Sequence, residues 1–335
     1  MSKKDFQYIC ECVKDSLFLG TDCIYCGCSN TLGIEFQKFN GGNLDFERIE
    51  KIRKAVIAKF INGELPERCV NCYMLKKVTG EDACIENEKF LTEETHSLSR
   101  LYIAHWLHCN CGCIYCCNGH LTKLKMTSEP KKSEFYDVFP IVRELCEKGY
   151  VQDNTFVTFL GGEVTVLDEF EKTVELLLKH TKQNFQFLSS GIKFSKIIEK
   201  TLSEGKCDLC ISIDSWNREL YKKIKRTDSF DAVVENSQKY AQACKDISPK
   251  AMVLKYILIK GLNDTQKDID EFVSLAKNIG IQRVILDVNH KNFGGTDFVI
   301  PNHYYDLFDN FKKITDIEAI TTSQCDEILK RKTIF

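Results

Sequence analysis

From Arg100 onward, short apolar runs alternate with stretches in which apolar residues return every three to four positions. The runs at 101–105 (LYIAH), 155–160 (TFVTFL), 185–190 (FQFLSS), 209–214 (LCISID), 252–259 (MVLKYILI) and 283–288 (RVILDV) read as strands. Between them, the stretches near 133–148, 168–180, 193–204, 229–245 and 266–279 read as amphipathic helices. Strand and helix alternate in six successive units, and the strands are almost continuously apolar. This predicts an α/β fold with a parallel sheet covered by helices. Six units rather than eight predict a partial, TIM-like (β/α)6 barrel, in which chemistry gathers where the loops converge at the carboxyl ends of the strands.

Residues 1–98 follow another rhythm. One helical segment, about 44–62, carries Ile49, Ile52, Val56, Ile57, Phe60 and Ile61 near a 3.6-residue period. Cysteines bracket it: Cys10, Cys12, Cys23, Cys26 and Cys28 before, Cys69 and Cys72 after. A small module of this kind has a thin apolar core and needs a staple. An acidic, helix-like segment at 79–95 links it to the strand-rich part of the chain. The expected organisation is a cysteine-rich module and linker over 1–98, the α/β core over 99–292, and a carboxyl-terminal capping segment over 293–335.

Composition narrows the partners. With 43% hydrophobic residues, 28% charged residues and 5 prolines in 335, the chain is expected to fold. Lys+Arg 46 against Asp+Glu 48 gives a net charge of -2, so no broad basic surface draws in nucleic acid or acidic membrane. No apolar run approaches about 18 residues and none follows the first lysines, so a cytoplasmic protein without membrane span or leader is expected. In a reducing cytosol, 18 cysteines point to metal binding rather than to disulfides.

The candidate chemistry starts directly after the first core strand. In WLHCNCGCIYCC, Cys109, Cys113 and Cys116 are spaced C-x3-C-x2-C, with Tyr115 before the third cysteine. Three thiolates on a short loop can anchor three irons of a 4Fe-4S cube and leave the fourth iron open. Cys113 and Cys116 alone would also make a zinc knuckle, and Cys111 and Cys117 are extra thiols. At the end of the second strand stand Gly161, Gly162 and Glu163. Glycines let a ligand approach the backbone, and a carboxylate beside them can accept an ammonium group.

These two motifs, in this order, resemble the radical S-adenosylmethionine superfamily, and the likeness runs from Arg100 to about His290. The resemblance implies that Cys109, Cys113 and Cys116 hold a 4Fe-4S cluster whose open iron is chelated by S-adenosylmethionine. It also implies that Gly161, Gly162 and Glu163 receive the methionyl amine. Ser190 ends the third strand, in a Ser189-Ser190-Gly191 turn, and Ser212 and Asp214 end the fourth. By the same resemblance they contact the nucleoside or the substrate. The implied activity is reductive cleavage of S-adenosylmethionine to a 5′-deoxyadenosyl radical that abstracts hydrogen from a substrate. A peptide, a sugar and a small metabolite all remain open as substrates. A low-potential donor such as flavodoxin or ferredoxin would supply the electron.

The front module is similar to the auxiliary-cluster modules of twitch and SPASM-like radical proteins. That resemblance implies a second 4Fe-4S cluster on Cys10, Cys28, Cys69 and Cys72, with Cys12 and Cys26 as substitutes. Two knuckles about forty residues apart equally suit tetrahedral zinc. A reading from another class is a zinc-binding recognition protein on a degenerate barrel, in which Glu163 has no role. Other features read as structural: Cys207 and Cys210 as core thiols of a strand, Cys146 and Cys244 as packing residues on helices, and His105 as a packing or hydrogen-bonding group. The run Lys222, Lys223, Lys225 and Arg226 could clamp a phosphate or carboxylate but reads first as a wetted helix face, and Asn289 and His290 read as a strand-end turn, with substrate contact as the alternative.

Overall fold

A computed structural model describes residues 6–27, 33–38, 42–70, 72, 74–79, 81–92, 97–116, 136–182, 185–289 and 301–322. Cys28, Cys117, His290 and Cys325 lie outside the described residues. The chain forms two compact units, one of residues 1–106, 131–161 and 169–185, the other of 107–130, 162–168 and 186–335.

In the first unit, β1 (Gln7–Ile9) pairs antiparallel with β5 (Lys76–Val78). The main strands are β2 (Ser16–Leu19), β3 (Cys23–Tyr25), β4 (Glu35–Lys38), β6 (Arg100–Ile103) and β7 (Phe156–Phe159). β2, β3 and β4 form an antiparallel meander, while β2 pairs in parallel with β6 and β6 in parallel with β7. The register sets Leu17 beside Leu101 and Leu101 beside Val157, and all three are buried. Around these strands lie α1 (Glu11–Asp15), α2 (Phe46–Ile61), α3 (Glu81–Thr92), α4 (Phe139–Glu147) and α5 (Phe170–Leu177). Helix α2 starts where Asp45 accepts the Arg48 N–H at 3.0 Å, a side-chain cap for one of the orphan donors of the first turn. Its apolar stripe, Ile49, Val56, Ile57 and Phe60, is buried as the period predicts. Arg53 lies on the same stripe. Its guanidinium donates to Ser16 O at 2.7 Å and to Glu50 at 2.9 Å, so the buried charge is paired and tied to β2.

In the second unit the strands are β8 (Phe185–Ser189), β9 (Cys207–Ser212), β10 (Met252–Leu258), β11 (Arg283–Val288) and β12 (Glu318–Thr321), in that spatial order. β9, β10, β11 and β12 pair in parallel in turn. The helices are α6 (Lys196–Ser203), α7 (Arg218–Lys225), α8 (Phe230–Cys244), α9 (Gln266–Asn278) and α10 (Asn302–Lys312). Leu209, Ile211, Leu254, Tyr256, Val284 and Leu286 share one face of the sheet and are all 0% exposed. Each such side chain contributes about 1.5–3 kcal/mol by leaving water. The opposite face carries Cys210, Ser212, Lys255 and Asp287. Helix α9 opens on a capping box, with Thr265 and Asp268 exchanging side-chain-to-backbone hydrogen bonds.

The predicted core strands correspond to β6 through β11, an α/β arrangement with a parallel sheet as expected. The structure adds a parallel strand at each end of the series, β2 on β6 and β12 on β11. Residues 301–322, inside the segment expected to act as a cap, thus supply a helix and a sheet strand. Among the described residues, no helix is long and apolar enough to cross a membrane.

Candidate functional site

The turn after β7 explains the paired glycines. Gly161 has φ +114, and a Cβ there would lie 2.7 Å from Trp106 O. A Cβ on Gly162 would lie 2.1 Å from His108 O, closer than any side chain permits. The Glu163 N–H then donates to His108 O at 2.8 Å, so the segment that opens the cysteine loop is held by backbone contact.

The Glu163 side chain is completely buried and fully engaged. Oε1 accepts from Thr165 N–H (3.1 Å), the Thr165 hydroxyl (2.7 Å) and the Ser189 hydroxyl (2.9 Å), and Oε2 accepts from Ser190 N–H (2.5 Å). The carboxylate therefore ties its own turn to the end of β8. The Ser190 hydroxyl donates in turn to Asn110 Oδ1 at 2.9 Å, which draws the β8 turn onto the cysteine loop. Ser212 is half-buried at the end of β9, in register with Lys255.

The cysteine loop rests on the end of helix α7. Gly112 N–H donates to Lys225 O at 2.9 Å and Ile114 N–H to Ile224 O at 3.0 Å, so carbonyls left open by the last helical turn are satisfied by the loop. Cys116 N–H donates to Cys113 O at 3.2 Å and closes the turn. The buried Cys111 thiol lies between Cys109 and Cys113 and is hydrogen-bonded to both, which together with burial drives it well above the usual thiol range. Cys113 moves the other way, to about 6, because of the Cys111 hydrogen bond and the nearby Lys225 charge, with burial opposing. Cys111 is thus a neighbour of two expected ligands.

Beside the loop sits a buried polar triad. Lys225 Nζ lies 2.5 Å from Asp214 Oδ2 and 2.7 Å from the Tyr115 hydroxyl, which itself donates to the same carboxylate. Burial pulls the Lys225 ammonium down, and Asp214 and Cys113 outweigh it, holding the group charged. Asp214 occupies the left-handed region with φ +55, a conformation that costs about 1–3 kcal/mol in a residue other than glycine. It is fixed there by Ile257 N–H on Oδ1 (2.8 Å) and by the Asn263 side-chain amide on its carbonyl (3.0 Å). In sequence, Lys225 sits in a charge run that reads as a wetted face or as an anion clamp, not as part of a buried triad. The signal was its place four residues after Tyr221 and one after Ile224, both fully buried, which puts it on the inward stripe of α7.

In the first unit, Cys10, Cys12, Cys23, Cys26 and Cys69 are buried and Cys72 is half-buried. Cys69 is pushed up to about 12 by burial and by its neighbours Cys26, Cys10 and Cys72. Cys10 is driven up chiefly by a hydrogen bond with Cys12. Cys26 Sγ accepts the Ile34 N–H at 3.2 Å. Of the expected auxiliary set, Cys10 and Cys72 lie near enough to Cys69 to act on it electrostatically, as does Cys26. Cys69 and Cys72 flank a single turn, with Cys72 N–H on Cys69 O at 3.2 Å. His105 is buried against Tyr136, its Nε2 3.0 Å from Glu169 Oε1, as a hydrogen-bonding group. Cys207 bonds the Thr201 hydroxyl at 3.2 Å, and Cys146 and Cys244 are buried on their helices. Among the described residues, no three His, Cys, Asp or Glu side chains are disposed as a metal-ion site. The donor chemistry of 109–116, several thiols on one short loop beside a buried cation, nevertheless fits a thiolate-ligated iron-sulfur cluster.

The sequence profile of the Radical SAM superfamily matches residues 103–276, more than half of the chain. The chain belongs to the Radical SAM superfamily. Among curated relatives of this Radical SAM chain, a probable dual-specificity RNA methyltransferase of Cytophaga hutchinsonii is 27% identical over 65% of this chain and 59% of that protein. A GTP 3′,8-cyclase of Clostridium botulinum is 24% identical over 52% of this chain and 51% of that one. The chain thus spans between half and three fifths of the length of these two relatives. Streptococcus suis SuiB, as a solved structure, is similar over 95% of this chain and 71% of that one, at 14% identity and a TM-score of 0.47.

Proposed function

We propose that this chain is a radical S-adenosylmethionine enzyme, with Cys109, Cys113 and Cys116 holding a 4Fe-4S cluster. When bound, cluster and nucleotide together supply one-electron cleavage of a sulfonium and a radical that abstracts hydrogen from a substrate. The observation that carries the reading is the cysteine loop docked through Gly112 and Ile114 onto the end of α7, with Lys225 beside Cys113.

The chain's own residues prepare the site. Gly162 leaves room for the loop backbone, and Glu163 locks the β7 and β8 turns so that neither drifts from it. Lys225 offsets thiolate charge, and Asp214 holds Lys225 and Tyr115 in one orientation. In the first unit, Cys10, Cys69 and Cys72, with Cys26 or Cys28, would hold an auxiliary cluster. Zinc is the second reading there, supported by the buried thiols around Cys69 and by the N–H bond to Cys26 sulfur. A flavodoxin- or ferredoxin-like donor would deliver the electron. The substrate is a peptide, a sugar or a small metabolite.

The test is anaerobic purification followed by metal analysis and incubation with S-adenosylmethionine and a reductant. Brown protein with about eight irons that releases 5′-deoxyadenosine is the expected result. Colourless protein containing zinc in place of iron would overturn the reading.

A further inference from the structure

The two faces of the sheet in the second unit differ in kind. One is apolar and fully buried, while the other carries a lysine in the middle of β10, flanked by β9 and β11. The Lys255 ammonium lies 2.6 Å from Asp287 Oδ2. Asp287 has 1% side-chain exposure and is held from its other side, Oδ1 accepting the Thr322 hydroxyl at 2.7 Å and Val288 N–H at 2.9 Å. Lys255 keeps 23% side-chain exposure. An ammonium has three N–H groups, and Asp287 occupies one of them.

Stability alone is a weak reason for this arrangement. A buried ion pair replaced by well-packed apolar residues of like volume is often neutral or stabilising, and Lys255 has apolar Ile285 as its register partner on β11. Position offers a better reason. Ser212 is the register partner of Lys255 on β9, and Asp214, which anchors Tyr115 and Lys225, lies close enough to act on the Lys255 charge. Lys255 therefore shares its sheet face with Ser212, and of its three N–H groups one is taken by Asp287.

We propose that Lys255, oriented by Asp287, binds an anionic group of the substrate, a carboxylate or a phosphate, on the face shared with Ser212. This rests on the radical-enzyme reading only in calling the ligand a substrate. The anion site itself is defined by the ammonium, its oriented counter-ion and its exposure. It narrows the open list to substrates that carry a negative charge, and it makes Lys255 a determinant of specificity.

The test uses the full chain, titrated calorimetrically at low salt with inorganic phosphate and, separately, with succinate. The wild type is expected to bind one of the two, which identifies the class. Lys255→Ala should weaken that binding at least about tenfold, and Lys255→Arg should hold it within about threefold. Asp287→Asn keeps a side-chain carbonyl that can still accept from and orient the ammonium while removing a competing negative charge, so it should bind the same anion at least as tightly. The proposal is overturned if neither anion binds the wild type, if Lys255→Ala binds like the wild type, or if Asp287→Asn loses the anion while remaining folded by circular dichroism. Should Lys255→Ala fail to fold, Lys255→Met takes its place and the arginine and asparagine variants still decide. Formation of 5′-deoxyadenosine is measured in parallel. Its absence from the wild type with the anion pattern intact would sink the radical reading and spare the anion site, and the reverse pattern would do the opposite.

Discussion

The two cysteine-rich regions use the same side chain in opposite settings. In the first unit, burial and the neighbouring thiols raise Cys69, and a hydrogen bond with Cys12 together with burial raises Cys10. At the loop, Cys113 is lowered, because Cys111 donates to it and a buried lysine stands nearby. The difference teaches that cysteine count and spacing pick out candidate metal sites, while a neighbouring cation and an anchored loop distinguish one candidate from the other. A closed set of thiolates suits a structural or auxiliary centre. Thiols beside a cation, on a loop at a strand end, suit a centre that must also bind a ligand.

The sharpest way to break this comparison is to remove one thiol from each region. Cys113→Ala is expected to abolish 5′-deoxyadenosine formation and to lower iron content while the front site keeps its metal. Cys69→Ala should leave cleavage of S-adenosylmethionine detectable and block substrate turnover. Product assays with metal analysis check both, and native-rate cleavage by Cys113→Ala would end the assignment of the loop. Next in size is Lys225→Met, which leaves the Asp214 carboxylate buried without its cation. A loss of about 3–5 kcal/mol is expected in denaturant unfolding, with slower alkylation of Cys113 near neutral pH.

The smallest expected effect is on the pH dependence of the metal-free chain. Cys113 has a folded value near 6 against an ordinary thiol value near 9. Its contribution to stability is therefore complete above about pH 9 and is lost as pH falls through about 6. Cys69, raised to about 12, contributes with the opposite sign: its share is complete below about pH 9 and is lost as pH rises through about 12. Unfolding free energy should rise between pH 6 and 9 in the wild type, and Cys113→Ser should flatten that rise. An equal slope in both proteins would show that Cys113 is not the titrating group.

Much of the core was legible in the sequence. The runs at 252–259 and 283–288 became β10 and β11 almost residue for residue, because seven and six consecutive strand residues show a clear pattern. Strands β2, β3 and β4, of three or four residues each, are too short to display a period, and the cysteines in and around β3 point to metal instead. β12 has four residues, with polar Glu318 and Thr321 at its ends, and was invisible for the same reason. At the site, Gly162 and the loop cysteines could be found from spacing. Lys225 and Lys255 could not be found from charge alone, since a buried lysine and a wetted one differ only in what faces them. Glu163 was recognised as a special carboxylate, yet its four donors come from Thr165, Ser189 and Ser190, which no local pattern reveals.

The parallel ladder between β2 and β6 has a practical consequence. A shortened chain beginning after residue 98 would strip Ser16–Leu19 from Arg100–Ile103 and leave a bare row of amide and carbonyl groups along an apolar strand. Open borders of that kind recruit other chains, so such a truncation would be sticky and prone to precipitate rather than a free-standing catalytic half. The amino-terminal segment is thus stitched into the sheet it precedes, and its removal would damage more than the group of cysteines it carries.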